Sequence, residues 1–336
     1  MLTSKAVEYF ATTTGTTGKS KLIPITSELS TSLKLKVGSL MYYLTHRGSG
    51  LNLQRNFTLA FSSRTRPLPG GKRCGPVSQF MQKSPPFLLG HRDVFKLSDE
   101  QVAFHVHAVY ALQDPHVGCI EALMSTVVCG FWVYVENNWK TICHDISEGS
   151  LSLDFLNDKL DRTRPDHAAT NMNLLLSIST QLKPNAARAN ELQQEFQAGF
   201  VNICRRVWPN VTFVRMLNTG GFAHAAKKLR DVYMTDVAQY SLLHVASEGF
   251  MGVDVSSHPS KGTYAAAVDL SFFEYIHEED TAQEQPGTLF ADQLQAGESY
   301  EVVISTNRGL YRYRTGDVVR VTDFLNQCPV YSFQYR

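Results

Sequence analysis

At 336 residues the chain is long enough to bury a large core, as one big α/β domain or as two ordinary ones. Apolar residues make up 43% and charged residues 19%, which excludes a disordered or fibrous chain. Thirty-two Lys and Arg against 31 Asp and Glu leave no electrostatic reason to expect nucleic acid or an anionic membrane as partner, and six scattered cysteines without a CxxC pair fit reduced thiols in a cytosolic setting.

No internal repeat or low-complexity tract interrupts the chain, and no cleavable signal is read at its start. Residues 9–24 read as a Thr/Gly loop leading into a polar stretch of helical period, 26–44, and residues 67–86 as a long surface loop rich in Pro and Gly. Apolar residues recur at helical spacing over 98–124, and 131–135 reads as a short strand. The apolar run 117–135 is broken by Glu121, Ser125, Thr126 and two glycines, so it is expected as a buried helix followed by a strand and not as a membrane span. Helices are expected over 150–160 and 186–207, the second ended by Pro209. Short buried-strand runs at 211–216 and 242–245 flank a helix-like 222–229, whose Lys227, Lys228 and neighbouring Arg230 read as a solvated face.

From Gly262 onward the pattern is strand after strand: 264–270, 272–276, 300–306, 311–313, 318–321 and 330–334, with Asn307-Arg308-Gly309 as a hairpin turn. Helices alternating with buried strands and followed by a β-rich part imply an α/β fold of layered sheets and helices. The chain stops inside an expected strand. The organisation expected is therefore one incomplete large domain, with an α/β part over 1–261 and a β-rich part over 262–336.

Three stretches carry chemistry. In Thr12-Thr13-Thr14-Gly15-Thr16-Thr17-Gly18-Lys19-Ser20-Lys21 the glycines let backbone N–H groups turn toward a polyphosphate, hydroxyls add donors and lysines neutralise charge. A Walker A loop needs a glycine where Thr13 stands, which disfavours a kinase or GTPase of that type. His244-Val245-Ala246-Ser247-Glu248-Gly249 ends a buried strand, where an open α/β sheet binds ligands, and Glu248 is a candidate for Mg²⁺ on ATP phosphates. In Gly309-Leu310-Tyr311-Arg312-Tyr313-Arg314-Thr315-Gly316-Asp317 the aspartate follows a Thr-Gly turn between strands and can accept both ribose hydroxyls, or else cap the turn or pair with Arg320. Arg312 and Arg314 share a strand face, as surface ion-pair residues or with one facing a nucleotide. No G-x-S-x-G elbow supports a hydrolase and no HExxH a metal enzyme, and His105 and His107, two apart on a helix, face different ways.

In this order and at these spacings the three stretches resemble the Gretchen Hagen acyl-acid amido synthetases of the adenylate-forming superfamily, the third nearly completely, through Val321 and Phe324. The resemblance implies that Thr13, Thr14, Gly15, Thr16 and Thr17 hold ATP phosphates, with Lys19 or Lys21 offsetting their charge. By the same resemblance Glu248, beside Ser247, is the Mg²⁺-linked glutamate and Asp317 the ribose-binding aspartate, with Arg314 a further nucleotide contact. His244 stands where the family has a tyrosine that packs on adenine, and 104–133 matches the region lining the acyl pocket. The activity implied is activation of a carboxylic acid as acyl-AMP and its transfer to an amino acid, with ATP and Mg²⁺ and with a small mobile domain that the family carries beyond this segment. The alternative is a non-catalytic relative that binds nucleotide or protein.

Overall fold

The computed structural model describes residues 3, 5–13, 20–32, 55–63, 65–77, 89–241, 243–255 and 262–336. The chain opens with the antiparallel hairpin of β1 (Val7–Thr12) and β2 (Leu22–Thr26), followed by the short helix α1 (Ser27–Ser32). Residues 9–24 are thus two strands around a loop and not one long loop. Tyr9 and Ala11 alternate inward against Ile23 and Ile25, an alternation too short to stand out among the threonines. Pro24 is tolerated because β2 is an edge strand. β3 (Asn56–Thr58) starts a second sheet, while β4 (Arg66–Pro67) and β5 (Arg73–Gly75) return to the first, in the order β2-β1-β5-β4. Much of the expected helix 26–44 and part of the expected loop 67–86 lie outside the described residues.

The helical half follows. The helix expected over 98–124 is split into α2 (Glu100–Gln113) and β6 (Cys119–Met124), because Pro115 disfavours helical geometry at Asp114. The strand expected at 131–135 lies inside the long helix α3 (Ser125–Glu148), so 117–135 is a strand followed by a helix, the reverse of the expected order. Gly130, which reads as a breaker, is instead a packing glycine: a Cβ there would stand 3.2 Å from the Phe104 ring. Helices α4 (Leu153–Asn157), α5 (Pro165–Ser179), α6 (Ala186–Gln197) and α7 (Ile203–Val207) complete the layer, the expected helix 186–207 being interrupted around Gly199. β7 (Phe213–Leu217) and β8 (Ala238–Tyr240), with helix α8 (Ala223–Lys228) between them in the chain, complete the parallel sheet β3-β6-β7-β8.

Phe57, Phe131, Trp132 and Trp208 meet in the middle of this half. His105 is buried there with Nε2 2.8 Å from Asp145 Oδ2 and Nδ1 3.1 Å from the Tyr134 hydroxyl, and Asp145 also accepts from Ser152. His107 turns the other way, to the Ala60 carbonyl at 2.7 Å, and burial lowers its pKa from 6.5 to about 4. Among the described residues no helix is long and apolar enough to cross a membrane.

The β-rich part is a seven-stranded, wholly antiparallel sheet in the order β12-β13-β14-β15-β11-β10-β9. Its strands are β9 (Leu243–Val245), β10 (Phe250–Asp254), β11 (Thr263–Ala266), β12 (Phe272–His277), β13 (Ser299–Ser305), β14 (Tyr313–Leu325) and β15 (Cys328–Tyr335). The sheet therefore begins before Gly262. One face buries Tyr264, Tyr275, Tyr300, Ile304, Val319 and Tyr331. The runs 311–313 and 318–321 are not two strands: Tyr311 is 76% exposed and β14 runs on continuously from Tyr313. Thr315-Gly316 is a bulge within that strand, where β14 advances from Arg314 to Val318 while β13 advances only from Val303 to Glu301. Gly316 takes φ +76°, which a side chain would strain.

Candidate functional site

The β1–β2 hairpin is clamped at the base of its loop. The Thr13 N–H donates to the Lys21 carbonyl at 3.1 Å, the Lys21 N–H to Thr13 Oγ1 at 2.9 Å, and the Ser20 hydroxyl to the Thr13 carbonyl at 2.7 Å. The Thr13 hydroxyl thus closes the loop. Thr14, Gly15, Thr16, Thr17, Gly18 and Lys19 lie outside the described residues.

Ser247 and Glu248 form the tip of the tight β9–β10 turn, closed by Ala246 N–H to Gly249 carbonyl at 2.9 Å and the reverse bond at 3.3 Å. Glu248 follows the end of strand β9 as expected, but the setting in an open α/β sheet is corrected: it is carried by an antiparallel hairpin, whose two-residue turn the segment Ala-Ser-Glu-Gly does not announce. The turn reaches the described ends of the first stretch, at Thr12 and Lys21. Ser247 Oγ lies 3.5 Å from the Thr12 carbonyl, Lys21 Nζ donates to the Tyr313 hydroxyl at 2.9 Å, and that hydroxyl donates to Glu248 Oε1 at 3.2 Å. Lys21 Nζ also stands 4.7 Å from the centre of the Tyr313 ring. One chain of hydrogen bonds therefore joins the first, second and third sequence stretches.

Arg308 holds this turn from behind. Its guanidinium is buried and donates to the Glu248 carbonyl at 2.7 Å. Burial pulls its pKa down to about 10, and the Glu248 charge opposes that fall. In the sequence Arg308 reads as a plain turn residue, and no local pattern announces its burial. Tyr313 has a weak signal, because in Tyr-Arg-Tyr-Arg it faces away from the arginines, but its reach to Glu248 depends on β9 and β10, some 65 residues earlier.

Asp317 lies on β14 just past the Gly316 bulge and is only 4% exposed, so it is not displayed by a turn between strands as expected. Its Oδ2 is 3.1 Å from His244 Nε2, and its Oδ1 faces Arg336 Nε at 3.6 Å. His244, on β9, also meets the Tyr331 hydroxyl at 3.1 Å through Nδ1. Burial, aided by Tyr275, Tyr264 and Asp317, pushes the Tyr331 phenol well above its ordinary pKa. His244 and Asp317 are thereby tied to the strand that leads into Ser247 and Glu248.

Arg314 is not brought to this site. Its Nε donates to Glu301 Oε2 at 3.0 Å and its Nη2 to the same oxygen at 2.5 Å and to the Thr281 carbonyl at 2.7 Å. It pairs in register with Val303, whereas Tyr313 pairs with Ile304 on the side of the sheet that holds the aromatic core. Strand alternation thus sends Arg314 to the opposite face, correcting the expectation of a nucleotide contact. Arg312 has its own partner, Glu274. Much of the segment 104–133 is packed core between α2 and α3.

Among the described residues no three His, Cys, Asp or Glu side chains form a group able to hold a metal ion. All six cysteines are free thiols.

Residues 1–237 match the family model described as the GH3 family N-terminal domain, and residues 264–336 match the GH3 family central domain. The chain belongs to the GH3 family. It is the family whose amido synthetases the three motifs resemble. This GH3 chain is 27% identical over 367 residues to the indole-3-acetic acid-amido synthetase GH3.4 of Arabidopsis thaliana, covering 99% of this chain and 56% of that protein. To the probable indole-3-acetic acid-amido synthetase GH3.1 of Oryza sativa subsp. japonica it is 24% identical over 367 residues, covering 100% and 56%. The chain thus spans a little over half the length of these relatives. A solved GH3.15 acyl acid amido synthetase shares the fold, with a TM-score of 0.82 at 23% identity over 99% of this chain and 57% of that one. His244, Ser247 and Glu248 fall in the stretch between the two family-model matches.

Proposed function

We propose that this GH3 chain carries the nucleotide site of an ATP-dependent ligase that activates a carboxylic acid as its adenylate and joins it to an amino acid. The reading rests on family membership, on curated relatives named as amido synthetases, and above all on one observation. The Lys21–Tyr313–Glu248 hydrogen bonds draw the Thr/Gly hairpin, the Ser247-Glu248 turn and the Tyr-Arg-Tyr-Arg motif onto one spot.

The chemistry asks the protein for position and charge. The carboxylate of the acid attacks the α-phosphorus, the bond to pyrophosphate breaks, and the amine of an amino acid then displaces AMP from the mixed anhydride. Backbone N–H groups and hydroxyls of the hairpin loop would hold the phosphates in line, and Lys21 would offset the charge that builds on the leaving pyrophosphate. Lys19 is proposed to assist it. Asp317 would accept from the ribose hydroxyls and so fix the sugar.

A lone carboxylate cannot cage Mg²⁺, but Mg²⁺ commonly keeps several waters and binds through one or two carboxylates plus substrate phosphates. Glu248 fits that limited role, because the Tyr313 hydroxyl occupies only part of its acceptor capacity. When bound there the ion would supply charge neutralisation on the phosphates. Six free thiols fit the proposed cytosolic setting.

The test is release of pyrophosphate from ATP by the full-length protein, measured with and without candidate carboxylic acids such as indole-3-acetic acid. Acid-dependent release followed by amide formation with an amino acid supports the reading. Nucleotide binding without turnover against a broad panel of acids would identify a non-catalytic relative instead.

A further inference from the structure

The imidazole of His244 is fixed at both nitrogens. Nε2–H donates to the accepting Asp317 carboxylate at 3.1 Å, and Nδ1 meets the Tyr331 hydroxyl at 3.1 Å. Tyr331 and Phe333 stand at 73° and 65° to the ring with centroids 5.7 and 5.4 Å away, and Tyr264 closes a third side at 5.8 Å. A ring so enclosed, and only 8% exposed, has little face left to offer a purine. Its edge, by contrast, is committed to the carboxylate. Oδ2 of Asp317 is engaged, while Oδ1 faces Arg336 Nε at 3.6 Å, too long for a hydrogen bond, and keeps lone pairs for a ligand.

We propose that His244, held by Tyr331, is a positioning residue that orients the Asp317 carboxylate for the ribose hydroxyls, and so sets a preference for ribonucleotide over deoxyribonucleotide. This rests on the nucleotide reading of the site and departs from the base-stacking role that the resemblance implies for position 244. The pair acts as a unit because a carboxylate swings about its last torsion unless one oxygen is anchored. The Tyr331–His244 pair supplies that anchor through hydrogen bonds alone.

The experiment is calorimetric titration of the full-length protein with ATP, 2′-deoxy-ATP and inorganic tripolyphosphate, for the wild type, His244→Phe, His244→Gln and Tyr331→Phe, with melting curves alongside. The wild type should prefer ATP over 2′-deoxy-ATP by about tenfold, the worth of one hydrogen bond to a charged group. Phe keeps a ring but no donor, and should reduce the preference to about twofold. Gln still places an N–H near Asp317 and should keep most of it. Tyr331→Phe should fall between the two, and tripolyphosphate affinity should not change in any variant. If His244→Phe keeps the wild-type ratio and binds ATP as well as or better than His244→Gln, the ring is a base platform and the inference falls while the nucleotide site stands. If His244→Phe does not fold, an unchanged ratio in Tyr331→Phe overturns the inference in its place. A wild type that binds both nucleotides equally removes the ribose role of Asp317 and this inference with it. A wild type that binds no ATP overturns the proposed function itself.

Discussion

The helical half and the antiparallel sheet bury polar side chains in different ways. In the helical half several of the charged and ionisable groups are saturated within it: Asp145 takes His105 and Ser152, His107 takes the Ala60 carbonyl, and Arg188 donates to the carbonyls of Leu112 and Val207. In the sheet, Glu248, His244, Asp317 and Arg308 are reached from β9, β14, the turn before β14 and the β1–β2 hairpin, through contacts that leave acceptor capacity over on the Glu248 and Asp317 carboxylates. A buried polar group saturated by its own layer is scaffold. One that keeps acceptor capacity is where a ligand can compete. The contrast predicts that mutations in the first region change stability and those in the second change binding.

The largest effect should come from Asp145→Ala. Removing one member of a buried pair leaves the His105 ring and the Ser152 donors without an acceptor, at a cost of about 3 to 5 kcal/mol. Urea denaturation should show it, and ATP affinity of the folded protein should be unchanged. A stable variant with weakened ATP binding would reverse the roles assigned to the two regions.

His107 sharpens the same point through pH. Its folded pKa of about 4 lies below the ordinary 6.5, so on acidification the unfolded chain takes up a proton that the folded chain resists. Its contribution to stability is therefore complete above about pH 6.5, shrinks as pH falls through that window, and is gone below about pH 4. The span is up to roughly 3 kcal/mol. Stability measured from pH 7 to 4 should fall less steeply in His107→Gln than in the wild type, and identical slopes would show that the ring is already solvated.

In the sheet, Asp317→Asn should weaken ATP binding about ten- to a hundredfold, the lower end being expected because Asn keeps one acceptor. Its melting temperature should stay close to that of the wild type. A large fall in melting temperature with unchanged affinity would move Asp317 to the scaffold class. The smallest effect is expected for Arg314→Lys, which loses the forked contact with Glu301 on the far face. With a partly exposed guanidinium the loss should be about 0.5 to 1 kcal/mol of stability, without change in ATP affinity.

The site was more legible in the sequence than the elements that carry it. Gly-Leu-Tyr-Arg-Tyr-Arg-Thr-Gly-Asp is contiguous, so its likeness to the family survives without knowledge of the fold. The bulge that turns Asp317 toward His244 is set by pairing with β13, and Thr315-Gly316 taken locally says only "turn". Strand alternation places Tyr313 and Arg314 on opposite faces, but which face meets Glu248 is fixed by a hairpin far away in sequence. Gly130 misleads in the same manner, since its reason lies in Phe104 on another helix. α5 escaped for the opposite cause: Pro165 marks its first turn, but its mostly polar sequence buries only Asn171, Leu175 and Ile178 and leaves a faint period.

The central claim, that three separated stretches form one nucleotide site, is tested most directly by a crystal structure of the full-length protein with Mg²⁺ and a non-hydrolysable ATP analogue. The account predicts phosphates in the loop between β1 and β2 within reach of Lys21, the ion between them and Glu248, and a ribose hydroxyl on Asp317 Oδ1 with His244 still on Oδ2. A nucleotide seated away from Glu248 and Asp317, or stacked on a His244 ring that has let go of Asp317, would contradict it.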